Sequence, residues 1–480
     1  MNAVFRSDSC GSVVAATRLT FPRRAPSGPL PLTLQQQWAW SHYMQPEVPY
    51  IVGNAKRLRG PLSPDILCRG LGSVIERHES LRTRITTVEG VPGQMIDEPD
   101  EFCLKVLDFS AVCSTDREEQ AGSFVHDFFW RQLNLENGPL FEVRLLRLSE
   151  DDHILLVVVH HLLSDAVSFN ILFRELWTSY QALARGGEVS LPPLPTQYGD
   201  YAVWQRDQHQ HWMDKHGEYW QRRIASAFAA RLTSDHGLCH VREKKVENLF
   251  ATLDEVTSSG VRELARRTKM TTSHVMLAVY AALLSHWTGK RDFVIPYIVS
   301  GRMGSWDRHI IGCLGQFLVL RIELTGHENF IDVLQLVTRE FFAAYTHLDF
   351  GKVISERPDL LKGVTLNGVM ESMDALSQNV LHCGDHDIAI EEFPVPASLP
   401  EEFRMLWDAY FVLWSTPEHL CVRCQYKADL FRSDTIGNLL EDLQSFARQV
   451  VRDPQALVSS LFASRASKAH GSTIDARTAS

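Results

Sequence analysis

The sequence predicts an α/β protein built as two lobes of comparable size. Three observations carry that prediction. The chain has 480 residues, 45% of them hydrophobic and 22% charged, which suits a soluble globular protein of roughly two or three domains. Strand-like and helix-like segments alternate in similar order before and after about residue 200. Between them lies GGEVSLPPLPTQYGD (186–200), whose paired glycines and Pro192, Pro193 and Pro195 continue neither a helix nor a central strand.

In chain order, residues 1–29 are rich in Ser, Ala and Arg with one acid, Asp8. They are expected to form a disordered leader or docking segment. The N-terminal lobe is expected over 30–195. A helix should run over about 34–44. Another starts at Ser63 or Pro64, with Leu67, Leu71, Val74 and Ile75 on one face. ERHESLRTRI (76–85) leads into a strand, and 116–133 reads as helix. LFEVRLLRL alternates, whereas HILLVVVHH is nearly all apolar, as in a strand buried on both faces. A helix follows over about 167–184.

The C-terminal lobe, with the helix that joins the lobes, is expected over 196–464. Residues 201–225 read as a helix rich in Trp and Tyr. Then come a strand in FATLDEV, one helix over about 259–287, strands in DFVIPYIV and FLVLRIEL, and a helix at 330–346. Strands near 362–372, 409–415 and 419–426 precede a helix at 433–452. Residues 465–480 are small and polar, a disordered tail. No close sequence repeat relates the halves.

Composition excludes several functions. A formal charge of −10 leaves no basic face to neutralise nucleic-acid phosphates. No apolar run approaches the ~18 residues of a membrane-spanning helix. Nine cysteines are scattered along the chain. The one close pair, Cys421 and Cys424, lies in HLCVRCQY, which alternates like a strand. With no second pair the expectation is reduced thiols in the cytoplasm and no zinc. His209, His211 and His216 do not share a helical face, so no metal site is expected there either.

One stretch carries chemistry. VVVHHLLSDAVS (157–168) ends an apolar strand in His160 and His161, with Asp165 four residues beyond. With 20 His and 29 Asp in the chain, about one such pair is expected by chance. A histidine near neutrality can take a proton from a nucleophile and return it. A nearby carboxylate can orient the imidazole or hold the loop. The bland reading, a satisfied histidine at a strand end, is level with the catalytic one on local grounds.

The surrounding segments decide between them. PLTLQQQWAW (31–40), ERHESLRTRI (76–85), HHLLSDA (160–166), QYGDYAVWQRD (197–207), IGCLGQFLVLR (311–321) and YKADLFRSDTI (426–436) resemble, in order, motifs of the condensation domains of nonribosomal peptide synthetases. The resemblance covers about residues 30–463. It implies an α/β fold of two chloramphenicol-acetyltransferase-like lobes forming a V, with the active site in a tunnel between them. It implies that acyl and peptidyl carrier proteins present thioesters on phosphopantetheine arms, and that the protein holds no cofactor of its own. The acceptor, carrier-bound or a free small molecule, attacks through an amine or hydroxyl, and an amide or ester forms.

The resemblance also implies site residues. His161 is the catalytic residue, as base or positioner. His160 and Asp165 stand beside it in the catalytic motif, His160 supporting the loop and Asp165 in a structural ion pair. Arg82 is the first choice of partner for Asp165, and Arg77 the second. Two positions depart from the family pattern. The glycine that ends HHxxxDG is Ala166, beside the arm's expected path. The usual Asn of the fifth motif is Gln316, with Leu314 replacing a Phe. No adenylation or carrier segment is visible, so the resemblance implies a free-standing, monomeric enzyme acting in trans. Because carriers are acidic, docking should use local patches. Two other readings remain. HLDFGKV (347–353) is similar to the DFGWG element of CoA-dependent acyltransferases that also use HxxxD. A catalytically inactive docking module is the third reading, supported by Ala166 and Gln316 and opposed by the retained His161, Asp165 and Arg82.

Overall fold

The computed structural model describes residues 28–43, 50–236, 245–302, 304, 306–347, 357–361, 363–371, 380–394, 405 and 407–462. Residues 1–27, the tail from 463 and HLDFGKV beyond His347 lie outside them.

The N-terminal half contributes β1 (Leu30–Pro31), α1 (Leu34–Tyr43), β2 (Ile51–Arg59), α2 (Pro64–Arg77), a 3-10 turn (Glu79–Arg82), β3 (Thr83–Val88), β4 (Val91–Ile96), β5 (Lys105–Asp108), α3 (Ser114–Phe129), β6 (Phe141–Ser149), β7 (Asp152–His160) and α4 (Ala166–Ala184). The long helix α5 (Tyr198–Ile224) follows. Beyond it lie β8 (Val246–Thr252), α6 (Glu255–Thr268), α7 (Thr272–Thr288), β9 (Asp292–Val299), β10 (Gln316–Glu323), α8 (Phe330–Thr346), β11 (Val364–Glu371), β12 (Val380–His382), β13 (Asp387–Glu392), β14 (Ala409–Ser415), β15 (Leu420–Lys427) and α9 (Ser433–Arg452).

Two six-stranded sheets form the frame, in the orders β12-β13-β2-β7-β6-β5 and β10-β9-β11-β14-β15-β8, beside a small sheet β1-β4-β3. Strand β7 is central, and its composition explains why. Leu155, Val157 and Val159 pack into the core shared with α2 and α4. Ile154, Leu156 and Val158 pack on the other side, against α3. Such a strand has no solvent face to give to polar residues. In the second sheet α7 is the buried helix, Val275 to Leu284 being almost wholly covered, with α6, α8 and α9 around it.

Two expectations are corrected. The single helix expected over 259–287 is two. Lys269 ends α6 in the left-handed region at φ 58°, and Thr271 caps α7 by accepting from His274 N. Nor does a boundary at 195/196 separate the two sheets. β13 returns to the first sheet and pairs antiparallel with β2, Ala389 opposite Arg59 and Glu392 opposite Lys56. Its Ile388 and Ile390 join the N-terminal core, which covers an otherwise open edge of β2.

Candidate active site

The first side chains of interest come off the end of β7. His160 N is bonded to Leu140 O and His161 N to Tyr50 O, at 2.8 and 2.9 Å. Pairing with β2 therefore holds the strand straight up to the histidines. Both rings lie against Tyr50, His160 edge-on at 5.9 Å and His161 stacked at 4.8 Å between centroids. His160 is buried, and its Nδ1 accepts from Leu162 N at 3.3 Å. Burial, helped by neighbouring His161, pushes its pKa down to about 3, so it stays neutral and supports the turn.

His161 is half-buried and stacks on Tyr50, ring centroids 4.8 Å apart and planes 15° apart. Its Nδ1 lies 2.8 Å from Ser164 O. A carbonyl only accepts, so Nδ1 carries the proton and Nε2 keeps its lone pair. Burial lowers the imidazole pKa, outweighing the opposing pull of the Ser164 carbonyl and Asp165. The ring is thus neutral at pH 7, held by stacking and one directed hydrogen bond.

Asp165 does not bond to the imidazole. It caps α4, Oδ1 accepting from Ser168 N at 2.9 Å and Ser168 Oγ at 2.8 Å. Arg302 then approaches in a fork, Nη1 to Oδ2 at 2.8 Å and Nη2 to Oδ1 at 3.0 Å. Leu314 N adds a bond to Oδ2 at 3.1 Å. Burial alone would raise this carboxyl, but the charge and hydrogen bonds of Arg302, with Ser168, hold it below its ordinary value. Both members are covered, with side chains 7% and 11% exposed. The bidentate pair, with both carboxylate oxygens taking further donors, is the geometry in which a buried ion pair is tolerated; Arg302 Nε alone is buried without a partner among the described residues.

The partner expected for Asp165 is therefore corrected: it is Arg302, not Arg82 or Arg77. Arg82 closes the 3-10 turn and donates to the carbonyls of Asp97 and Glu76. Arg77 pairs with Glu175 in the middle of α4 at 2.9 Å, where His78 Nε2 also reaches Glu175, at 2.7 Å. ERHESLRTRI thus anchors the body of α4, while its N-terminus is anchored from the second half of the chain. Ser168 strengthens that junction: its Oγ accepts from Gly312 N at 3.0 Å and lies 3.0 Å from Gly312 O.

Three of the other quoted segments pack around this turn and α4, whereas YKADLFRSDTI runs from the end of β15 into α9 in the core of the second sheet. Gln36 Nε2 donates to Leu162 O at 2.9 Å, fixing the turn after His161. Gln197 Nε2 donates to Arg77 O at 2.9 Å. Tyr198 OH reaches Cys313 O at 3.0 Å, and the Tyr198 ring covers Gly312 so closely that a Cβ there would lie 2.3 Å from Cδ2. Ala166 begins α4 and is exposed. Gln316 begins β10, is buried, and its Oε1 finds no partner among the described residues. Arg302, Ser168, Tyr50 and Ser164 escaped sequence reasoning. The one signal for Arg302 was Gly301–Arg302 directly after the apolar strand β9. Gly301 has φ +67°, a turn that swings the next side chain back toward α4.

Among the described residues no group of three His, Cys, Asp or Glu side chains is placed to hold a metal ion. Nor is any described helix long and apolar enough to cross a membrane.

Comparison with known proteins bears on the family and the fold. The chain is 28% identical over 437 residues to surfactin synthase subunit 1 of Bacillus subtilis (strain 168), covering 90% of this chain and 12% of that protein. It is 28% identical over 477 residues to the bassianolide nonribosomal cyclodepsipeptide synthetase of Beauveria bassiana (strain ARSEF 2860), covering 95% and 15%. It therefore spans only a small part of the length of these relatives. The crystal structure of the X-domain from teicoplanin biosynthesis superposes with TM-score 0.75 at 22% identity, covering 91% of this chain and 98% of that one. That likeness shows that the two chains share a fold. The Condensation domain family profile matches residues 27–470, and the chain belongs to that family.

Proposed function

We propose that the protein joins an acyl group, presented as a thioester on a carrier protein's phosphopantetheine arm, to an amine or hydroxyl acceptor. The observation that carries this reading is the Nδ1–H bond from His161 to Ser164 O at 2.8 Å, which leaves Nε2 free to accept a proton. The acceptor's nitrogen or oxygen attacks the thioester carbonyl. A C–N or C–O bond forms, the C–S bond breaks, and the arm leaves as a thiol carrying the proton the acceptor has lost. His161 Nε2 takes that proton and passes it to the departing sulfur. An ammonium acceptor sheds its first proton to water, whereas a hydroxyl, with a pKa far from neutral, depends more on the imidazole.

Asp165 works at one remove. The carbonyl that fixes the His161 tautomer belongs to Ser164, the residue before it. Asp165 is clamped by Arg302, Leu314 and Ser168, so the clamp sets the carbonyl's position and thereby the imidazole's. In this reading Asp165 and Arg302 are positioning residues, and His160 supports the turn. The gap between the two sheets serves as the tunnel. Relatives named as cyclodepsipeptide synthetases keep ester formation within the family's range, so both acceptor types belong in the assay.

Mass spectrometry of products tests the proposal. A model acyl group is supplied on a carrier protein and, in parallel, as acyl-CoA, with a panel of amines and alcohols. Amide or ester from the carrier-bound donor supports it. Product from acyl-CoA alone contradicts the carrier-dependent reading.

A further inference from the structure

The second sheet has two faces, and they differ in chemistry. One packs on α7: Ala409, Phe411 and Leu413 of β14, and Leu420, Val422, Cys424 and Tyr426 of β15, all lie in that core. Period-two alternation puts the intervening residues on the opposite face. There Thr365, Tyr410, Gln425 and Asn248 stand in one row across β11, β14, β15 and β8. Val412, Arg423 and Phe250 form the next row. Such a polar set is unusual on a face this covered: Thr365 is fully buried, and Gln425 and Val412 nearly so.

Arg423 is the anomaly. It is half-buried in the middle of a strand, it forms no ion pair among the described residues, and its Nε is buried without a hydrogen-bond partner among them. Burial lowers its pKa, with no carboxylate opposing the effect. A guanidinium in such a place normally has an anion beside it. On the same face Thr365 Oγ1 is likewise buried without a partner among the described residues. The face opens to solvent at the β8 edge, where Phe250, opposite Arg423, is 57% exposed. An aromatic row leads to it from the N-terminal lobe. Trp38 of α1 meets Phe317 edge-on at 5.1 Å, Phe317 meets Trp407 at 6.0 Å, and Trp407 stacks on Tyr410 at 5.0 Å.

We propose that Arg423 is a binding residue for a carboxylate carried by one of the two substrates, with the aromatic row from Trp38 to Tyr410 covering the apolar part of the same molecule. A planar fork of donors suits a carboxylate. A cation on a sheet face with no carboxylate beside it among the described residues is explicable when the anion arrives with the ligand. Which substrate bears the group rests on the condensation reading above; the anion site itself does not.

Two measurements test the site without catalysis. Calorimetric titration compares 3-phenylpropionate with 3-phenylpropanamide. Wild type should bind the acid roughly tenfold or more tighter than the amide, and Arg423→Gln should bind the two alike. Equal binding of acid and amide by wild type overturns the inference, as does a preference that survives in Arg423→Gln. The second measurement is the melting temperature of ligand-free Arg423→Met. It should equal or exceed wild type, because a half-buried charge with no ion-pair partner among the described residues is removed. A fall of many degrees shows that the protein itself supplies a carboxylate to Arg423, and also overturns it.

A kinetic arm then locates the carboxylate. Hemisuccinyl and butyryl donors are compared on the carrier, and amino acids and their amides as acceptors. An Arg423-dependent preference in one series assigns the group to that substrate. Acid-selective binding with no turnover in either series supports the site and counts against the condensation reading alone.

Discussion

Asp165→Ala removes an acceptor shared by Ser168 N, Ser168 Oγ, both Nη atoms of Arg302 and Leu314 N. The guanidinium it leaves behind is 7% exposed and cannot recover its lost partner from water. Breaking a buried pair from one side costs about 3–5 kcal/mol, and the lost cap lies within that figure rather than beside it. Adding Arg302→Met removes the stranded charge, so the double variant should be more stable than the sum of the singles by at least about 1 kcal/mol. Arg82→Ala should instead add to Asp165→Ala within about 0.5 kcal/mol, because the two share no partner. The assay is urea unfolding followed by tryptophan fluorescence, with Trp177, buried in α4, reporting on the helix that Asp165 caps. The depressed carboxyl gives a pH signature. The pair's contribution is full above the ordinary Asp pKa of about 3.9 and is lost as pH falls through the lower folded value. A cost for Asp165→Ala below about 1 kcal/mol, or coupling to Arg82 that exceeds coupling to Arg302, would refute the clamp.

Other expectations follow from the same geometry. In the proposed reaction the neutral His161 ring is the active form, so the acid limb of the kcat/KM profile should lie below pH 6.5, because burial lowers the His161 pKa; an acid limb above pH 7 contradicts the assigned environment. Gly312→Ala should lower stability by about 1–3 kcal/mol in the same unfolding assay, since its Cβ would lie 2.3 Å from the Tyr198 ring; unchanged stability would mean that the ring moves freely. Glu175→Ala should cost about 3 kcal/mol, because it strands Arg77 and the buried His78.

What the sequence made legible follows from how local each signal is. β7 was readable because a continuous apolar run needs no knowledge of its neighbours. β2 was not: IVGNAKRLR mixes Asn54, Lys56 and Arg57 into a strand, and buried Lys56 is tolerated only because Glu392 of β13 pairs with it. That partner lies 336 residues away. β13 itself offers only Ile388 and Ile390 as a pattern. The break between α6 and α7 left a faint signal in the Thr271 cap, and the left-handed Lys269 left none. At the site, His161, His160 and Asp165 were located by a motif that places them on one turn. Arg302 was not, because choosing among arginines requires knowing which way the Asp165 carboxylate faces. Arg82 was favoured for its place in a matching motif, yet that segment grips α4 at Glu175, well along the helix from its first turn.

In the proposed reaction His161 moves the proton as a carrier-bound thioester is consumed. Single-turnover rates with a pre-loaded carrier, wild type against His161→Ala, test it most directly, with both proteins shown to be folded. His161→Ala should lose about 10²–10⁴-fold in the formation of amide or ester, more for an alcohol than for an amine acceptor. A folded His161→Ala that forms product within a few-fold of the wild-type rate would contradict it.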